Sequence, residues 1–198
     1  MVFVNQTGMD FVTCDHPVFF TNRYHIQRLH QHSFGMVSSG AIISMPLSPR
    51  LSLIAYDTNV YTLPNTTGNS CLDLTRTADV HALNQMQYLS ADKNIYFRFW
   101  GEAERIGSDV AELSKIRAAA GAISQTLVRD YGGPGETYRR GSADEEANAR
   151  ESLVMTSLRQ PEPTAWPSAL KFRSKPKTYS NGTALGHVRK AEWLQQDL

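Results

Sequence analysis

The chain has very little cysteine: Cys14 and Cys71 are the only two in 198 residues. Two thiols make neither a disulfide framework nor a four-cysteine zinc site. Apolar residues form 41% of the chain but never run on for the ~18–20 positions that a membrane span requires, so no membrane partner is expected. Twenty basic against nineteen acidic side chains leave no global field to steer a polyanion. Residues 1–6 have no basic n-region, and no signal-peptide core follows, so the expected compartment is cytoplasmic.

Glutamate is missing from the first hundred residues, whose six acids are all aspartate, matched by six basic residues and joined by five of the six histidines. Residues 101–160 carry eight basic and ten acidic side chains, seven of them Glu, and residues 161–198 carry six and three. Glu suits helix interiors, whereas Asp, Asn, Ser and Thr favour caps and turns. The first half therefore predicts strands and loops, the middle helix, and the end a basic segment.

Short β-rich runs stand at 11–14 and 18–20, split by Asp15-His16-Pro17, and again at 42–49 and 51–57. Residues 58–78 are rich in turn formers, with a tip at 65–70. A helix is predicted from Asp79 as N-cap to about Lys93, and a strand at 95–100. Val110, Leu113, Ala120, Ile123 and Leu127 recur at helical steps, predicting a helix over 109–130 opened by Asp109 and Glu112 and ended by Gly132-Gly133-Pro134-Gly135. Ser142 and Glu145 form a capping box for a helix reaching 158–159. Gln160-Pro161-Glu162-Pro163 reads as a semi-rigid linker, and Asn181-Gly182 as a hairpin turn. The expected fold is α+β: a small, mainly antiparallel sheet packed against two or three helices, with a C-terminal β-hairpin or tail. Residues 1–160 would form one domain, and 161–198 a linker and basic segment.

Three ordered motifs in the first half resemble a known family. Phe11-Val12-Thr13-Cys14-Asp15-His16-Pro17-Val18 is similar to its Phe-x-Thr-Ser-Asp-x-Pro-Val element, and Met45-Pro46-Leu47-Ser48-Pro49-Arg50-Leu51 to its Pro-Leu-Ser-Pro strand. Tyr56-Asp57 and then Leu83-Asn84-Gln85-Met86-Gln87, leading into Ile95-Tyr96, follow in the family's order. The family is the domain of unknown function numbered four-two-three-eight, and the resemblance spans about residues 9–97, similar to that family's C-terminal part. It implies a fold and a bacterial source but no established reaction. The family's initial His-His-Tyr-Val-Pro segment and helical region are absent here, and Cys14 stands where serine is usual. The expectation from that difference is a truncated or inactive relative.

Several residues carry candidate chemistry. Asp15, at a strand break, suits an acid, base or ligand-orienting group, or an Asx-turn that holds its own loop. Arg50 suits a bidentate clamp on phosphate or carboxylate, or an internal pair with Asp57 or Asp15. Asn84 and Gln87, at i and i+3, share a helix face and suit either a ligand or a strand edge of the domain itself. His25, His30 and His32 with Asp15 or His16 offer metal-ligand chemistry, but in no fixed motif, and a solvated loop is the plainer expectation. Cys14 reads as a nucleophile or, more simply, a small buried hydrophobe. The 132–135 glycines lack the Gly-Lys-Ser/Thr ending of a phosphate loop and read as a helix terminator. Lys171, Arg173, Lys175 and Lys177 alternate with Phe172, Ser174 and Pro176, with Trp166, Phe172 and Tyr179 available for stacking. In an extended strand they would make weak nucleic-acid contact, or simply protect an edge.

Two function classes follow. One is a non-catalytic binding or accessory module in which Asp15, Arg50, Asn84 and Gln87 form a satisfied structural network. The other is an enzyme acting on a phosphate-containing substrate such as nucleic acid, with Asp15 as acid, base or metal-orienting group and Arg50 as clamp. Neither implies a particular cofactor.

Overall fold

A computed structural model describes residues 1–64, 70–119, 121–130, 137–148, 150, 152–180 and 187–188. Its main sheet has five strands in the order β3-β4-β5-β1-β7, built from β1 (Val2–Asn5), β3 (Phe19–Thr21), β4 (Ile42–Ser48), β5 (Leu51–Tyr56) and β7 (Cys71–Leu74). All neighbours are antiparallel except β1 and β7. Smaller pairs are β2 (Thr13–Cys14) with β8 (Ile95–Tyr96), β6 (Tyr61–Thr62) with β12 (Lys171–Phe172), and the hairpin of β13 (Tyr179–Ser180) and β14 (His187–Val188). Asn181-Gly182 lies outside the described residues, as do 65–69 and the 132–135 glycines.

The Pro-Leu-Ser-Pro motif makes the β4–β5 hairpin. Proline cannot donate to a ladder, and the register shifts between Pro46 and Ser48, so Leu47 bulges outward. Ser48 Oγ then accepts the N–H groups of Arg50 (3.2 Å) and Leu51 (3.1 Å), which closes the turn. On β5 the buried positions are Ser52 and Ile54, while Leu51 and Ala55 face outward.

Helix α1 (Thr77–Ser90) lies across this unit and is buried along most of its length, polar residues included. It begins two residues before Asp79, which is therefore an interior residue and not the expected cap, and it stops at Ala91, whose backbone is extended. One apolar cluster joins Phe3, Phe11, Ile42, Ile54, Tyr61, Leu83 and Met86 to Ile106 and Leu113 of α2 (Ala103–Ala119) and to Leu170 near the C-terminal end.

The middle of the chain departs from expectation in three places. Strand 95–100 is only β8, followed by a single 3-10 turn at Trp100–Glu102. The helix expected over 109–130 is α2, shifted toward the N-terminus, and then strand β9 (Gly121–Asp130). Asp109 is no cap: at mid-helix it pairs with Arg105 one turn earlier (3.0 Å) and with His81 of α1 (3.3 Å). The helix expected to reach 158–159 is the short α3 (Ala143–Asn148), followed by β11 (Ser152–Arg159). The Ser142–Glu145 capping box does form, its N–H bonds running both ways at 2.9 and 3.3 Å. With Arg139 beside it, the Glu145 carboxyl falls to about 2. The cause of both reversals is cross-strand pairing. Gly121 weakens the helix, and β-branched Ile123, Thr126 and Val128 pair antiparallel with β11 over eight consecutive positions. β10 (Thr137–Arg140) completes that three-stranded sheet.

Candidate functional site

The three motifs meet on one irregular segment, residues 7–17, whose backbone polar groups have little ladder to satisfy them. Asn5 holds its start: the Asn5 amide donates to Met9 O (2.6 Å) and Pro49 O, and Asn5 Oδ1 accepts from Thr7 N–H and hydroxyl. Arg50 donates to Thr7 O and pairs with Asp10 at 3.1 Å. Its expected internal partner, Asp57 or Asp15, is thus replaced by Asp10, which Arg98 also pairs at 3.0 Å. Asp57 instead accepts the N–H groups of Gly40 and Asn59, both at 2.9 Å.

Asn84 and Gln87 hold the rest of the segment from α1. Asn84 Oδ1 accepts Val12 N–H (3.0 Å) and its amide donates to Asp10 O (2.9 Å). The Gln87 amide donates to Pro17 O (2.9 Å), and its oxygen accepts the Cys14 thiol (3.4 Å). Asn84 is 0% and Gln87 2% exposed. Burial pushes the Cys14 thiol up, away from the thiolate a nucleophile needs.

Asp15 works in the opposite direction, from the segment toward the end of α1. Its carboxylate accepts the N–H groups of Asp92 (2.9 Å), Lys93 (2.8 Å) and Asn94 (3.2 Å). These bonds, led by Lys93, hold its pKa below the ordinary aspartate value. The carboxylate's contribution is present above the unfolded value and is lost as pH falls through the lower folded one. A carboxyl NMR titration is expected to place Asp15 below the usual aspartate midpoint of about 3.9. The 92–94 amides should lose exchange protection in that same pH window, and an unshifted midpoint would count against the clamp.

The other side of α1 holds a second irregular segment. Asp79 accepts the N–H (2.6 Å) and hydroxyl (2.9 Å) of Ser168, and Gln85 Oε1 accepts the Thr164 hydroxyl (2.8 Å) and Ala165 N–H (3.2 Å). Arg23 donates to Leu170 O and lies over the Trp166 and Phe172 rings. Sequence reasoning passed over Asp10 and Gln85 as site residues and read Asp79 as a helix cap. For Asp79 and Gln85 the available signal was a helix with too many apolar positions to leave its polar ones in water.

The structure thus brings Asp15, Arg50, Asn84 and Gln87 to one segment, each bonded to protein groups. A cleft of about 510 Å³ lies between Trp166, Pro163 and Glu162 on one side and Ile116 and Lys115 on the other. A groove of about 330 Å³ runs beside Phe11, Leu47 and Tyr96. None of the four polar candidates lines either one. His25 is buried with its ring near Phe34, His30 is exposed, and His32 stands 4.0 Å from Glu162. Among the described residues no three His, Cys, Asp or Glu side chains group to hold a metal ion. The four basic candidates do not form one extended strand: β12 ends at Phe172, and the chain bends at 174–175.

Fold and site together define an α+β protein whose first half is a sheet-and-helix unit built around a clamped segment. Residues 1–99 match the model of a family described as "Protein of unknown function (DUF4238)". That is half of the chain, and the chain belongs to this family. The match begins at residue 1, ahead of the 9–97 span, and covers the N-terminal half. No curated protein and no solved structure matches the chain. No described helix is long and apolar enough to cross a membrane.

Proposed function

We propose that the protein is a non-catalytic binding or accessory module of a bacterial cytoplasm. The observation that carries this is the state of Asn84 and Gln87: both are fully buried, and each bonds the 10–17 segment through both ends of its amide. A group that must meet substrate needs an open approach, and these have none. The free thiol of Cys71, exposed on edge strand β7, suits a reducing compartment.

The alternative is an enzyme acting on a phosphate-containing substrate, with Asp15 and Arg50 as its polar groups. The test is incubation of the chain with p-nitrophenyl phosphate and with labelled DNA and RNA, in Mg²⁺ and in Mn²⁺. No turnover is expected. Turnover abolished by Arg50→Gln or Asp15→Asn, with the melting temperature unchanged, would establish the enzyme instead.

A further inference from the structure

Several arginines of the chain are engaged with acids or aromatic rings. Arg50 and Arg98 share Asp10, Arg105 pairs with Glu102 and Asp109, and Arg23 is half-buried against Trp166 and Phe172. Other cations are exposed and form no ion pair among the described residues, and four of these, Lys171, Arg173, Lys175 and Lys177, fall within seven consecutive residues, with exposed Arg28 over the ring of Phe172. Arg28 comes from a different part of the chain. A π-helical turn, His25–Leu29, sets its guanidinium 5.1 Å from the centroid of the ring of Phe172, which stands between Lys171 and Arg173 in the chain.

The backbone under these charges is fixed. Lys171 and Phe172 pair with Thr62 and Tyr61, Arg173 N–H donates to Val60 O (2.9 Å), and Lys177 N–H donates to Asn59 O (3.0 Å). Arg173 adds a bond from Nε to Thr58 O. Cations on an ordered strip lose less conformational entropy on meeting a polyanion than cations on a loose tail. No large apolar side chain is exposed within 160–178 or 23–28. A membrane surface is bound through an apolar face as well as through charge, and that face is absent from these stretches. Phe172 is flanked by two guanidinium groups, which leaves phosphate contact rather than base stacking as the mode.

We infer that Arg28, Lys171, Arg173, Lys175 and Lys177 form a sequence-independent binding face for the phosphate backbone of a nucleic acid. This rests on the module reading, for which it names the partner class. The experiment is fluorescence anisotropy of the full chain with labelled oligo-dT, oligo-U and a DNA duplex, titrated at several salt concentrations. For four to five phosphate contacts on a single strand, the slope of log K against log salt is about −3, so affinity falls about a hundredfold between about 50 and 200 mM salt. Lys171→Ala/Lys175→Ala/Lys177→Ala should flatten that slope by about 2, and Arg28→Ala alone by about 0.7. The melting temperature of each variant serves as the control for folding.

No binding at low salt overturns the inference, as does a slope that the triple variant leaves unchanged. Binding to phosphatidylserine vesicles but to no oligonucleotide also overturns it and makes the partner a lipid surface. The same oligonucleotides run on a denaturing gel after incubation with Mg²⁺ separate the two claims. Cleavage would sink the module reading and leave the binding face standing. Absent binding with absent cleavage would do the reverse.

Discussion

Asn84→Leu is expected to lower the unfolding free energy by about 3 kcal/mol, because it orphans a buried donor and a buried acceptor at about 1–3 kcal/mol each. Leucine has the same branched arrangement of four side-chain heavy atoms as asparagine, with bulkier methyl ends, so no cavity opens and the loss reports the hydrogen bonds together with some overpacking. The orphans are Val12 N–H and Asp10 C=O, neither of which can turn to another partner without moving the 7–17 segment off α1. For a chain of this size the melting temperature should drop by roughly 6–12 °C. Urea denaturation followed by circular dichroism measures both quantities. A loss under about 0.5 kcal/mol, the usual span of a surface substitution, would show that Asn84 is not a clamp.

Removal of everything after residue 159 should have a larger effect still. Leu170 is 1% exposed in the main cluster, and a Leu truncation there alone costs about 2–5 kcal/mol. The Asp79 carboxylate would lose Ser168, and Gln85 would lose Thr164 and Ala165. A hydrogen bond to a charged group is worth about 1.5–3 kcal/mol, so the sum is on the order of the ~5–15 kcal/mol that holds a whole domain together. The shortened chain is expected to show no cooperative thermal transition. Leu170→Ala in the full chain should retain one, weakened by about 3 kcal/mol. A shortened chain melting within a few degrees of the full one would show that the C-terminal strap is dispensable to the core.

What was legible in the sequence was local. The β4–β5 hairpin follows from its apolar runs and the Ser48-Pro49-Arg50 turn, and the Ser142–Glu145 capping box from its spacing. The shared face of Asn84 and Gln87 follows from i and i+3. Their partners did not follow, because these lie 72, 74 and 70 positions away in the chain. The same holds for Arg50, whose internal pairing is readable but whose partner could have been any of several aspartates. Residues 121–130 misled because Ile123 and Leu127 continue the step of the preceding helix. Only the pairing with β11, some 30 positions on, decides for strand. Leu170 was hidden for a compositional reason: one leucine after a Pro-Glu-Pro run looks like linker, yet it completes the core.

The polar side chains of α1 hold two irregular segments, one on each side. Three amides report it directly: Val12 bonded to Asn84, Ala165 to Gln85 and Ser168 to Asp79. All three lie outside regular helix or strand. Native-state hydrogen exchange read residue by residue should find all three protected to within a few kcal/mol of global unfolding. Exchange at the rate of open loops, with the core strands still protected, would mean that α1 clamps neither segment.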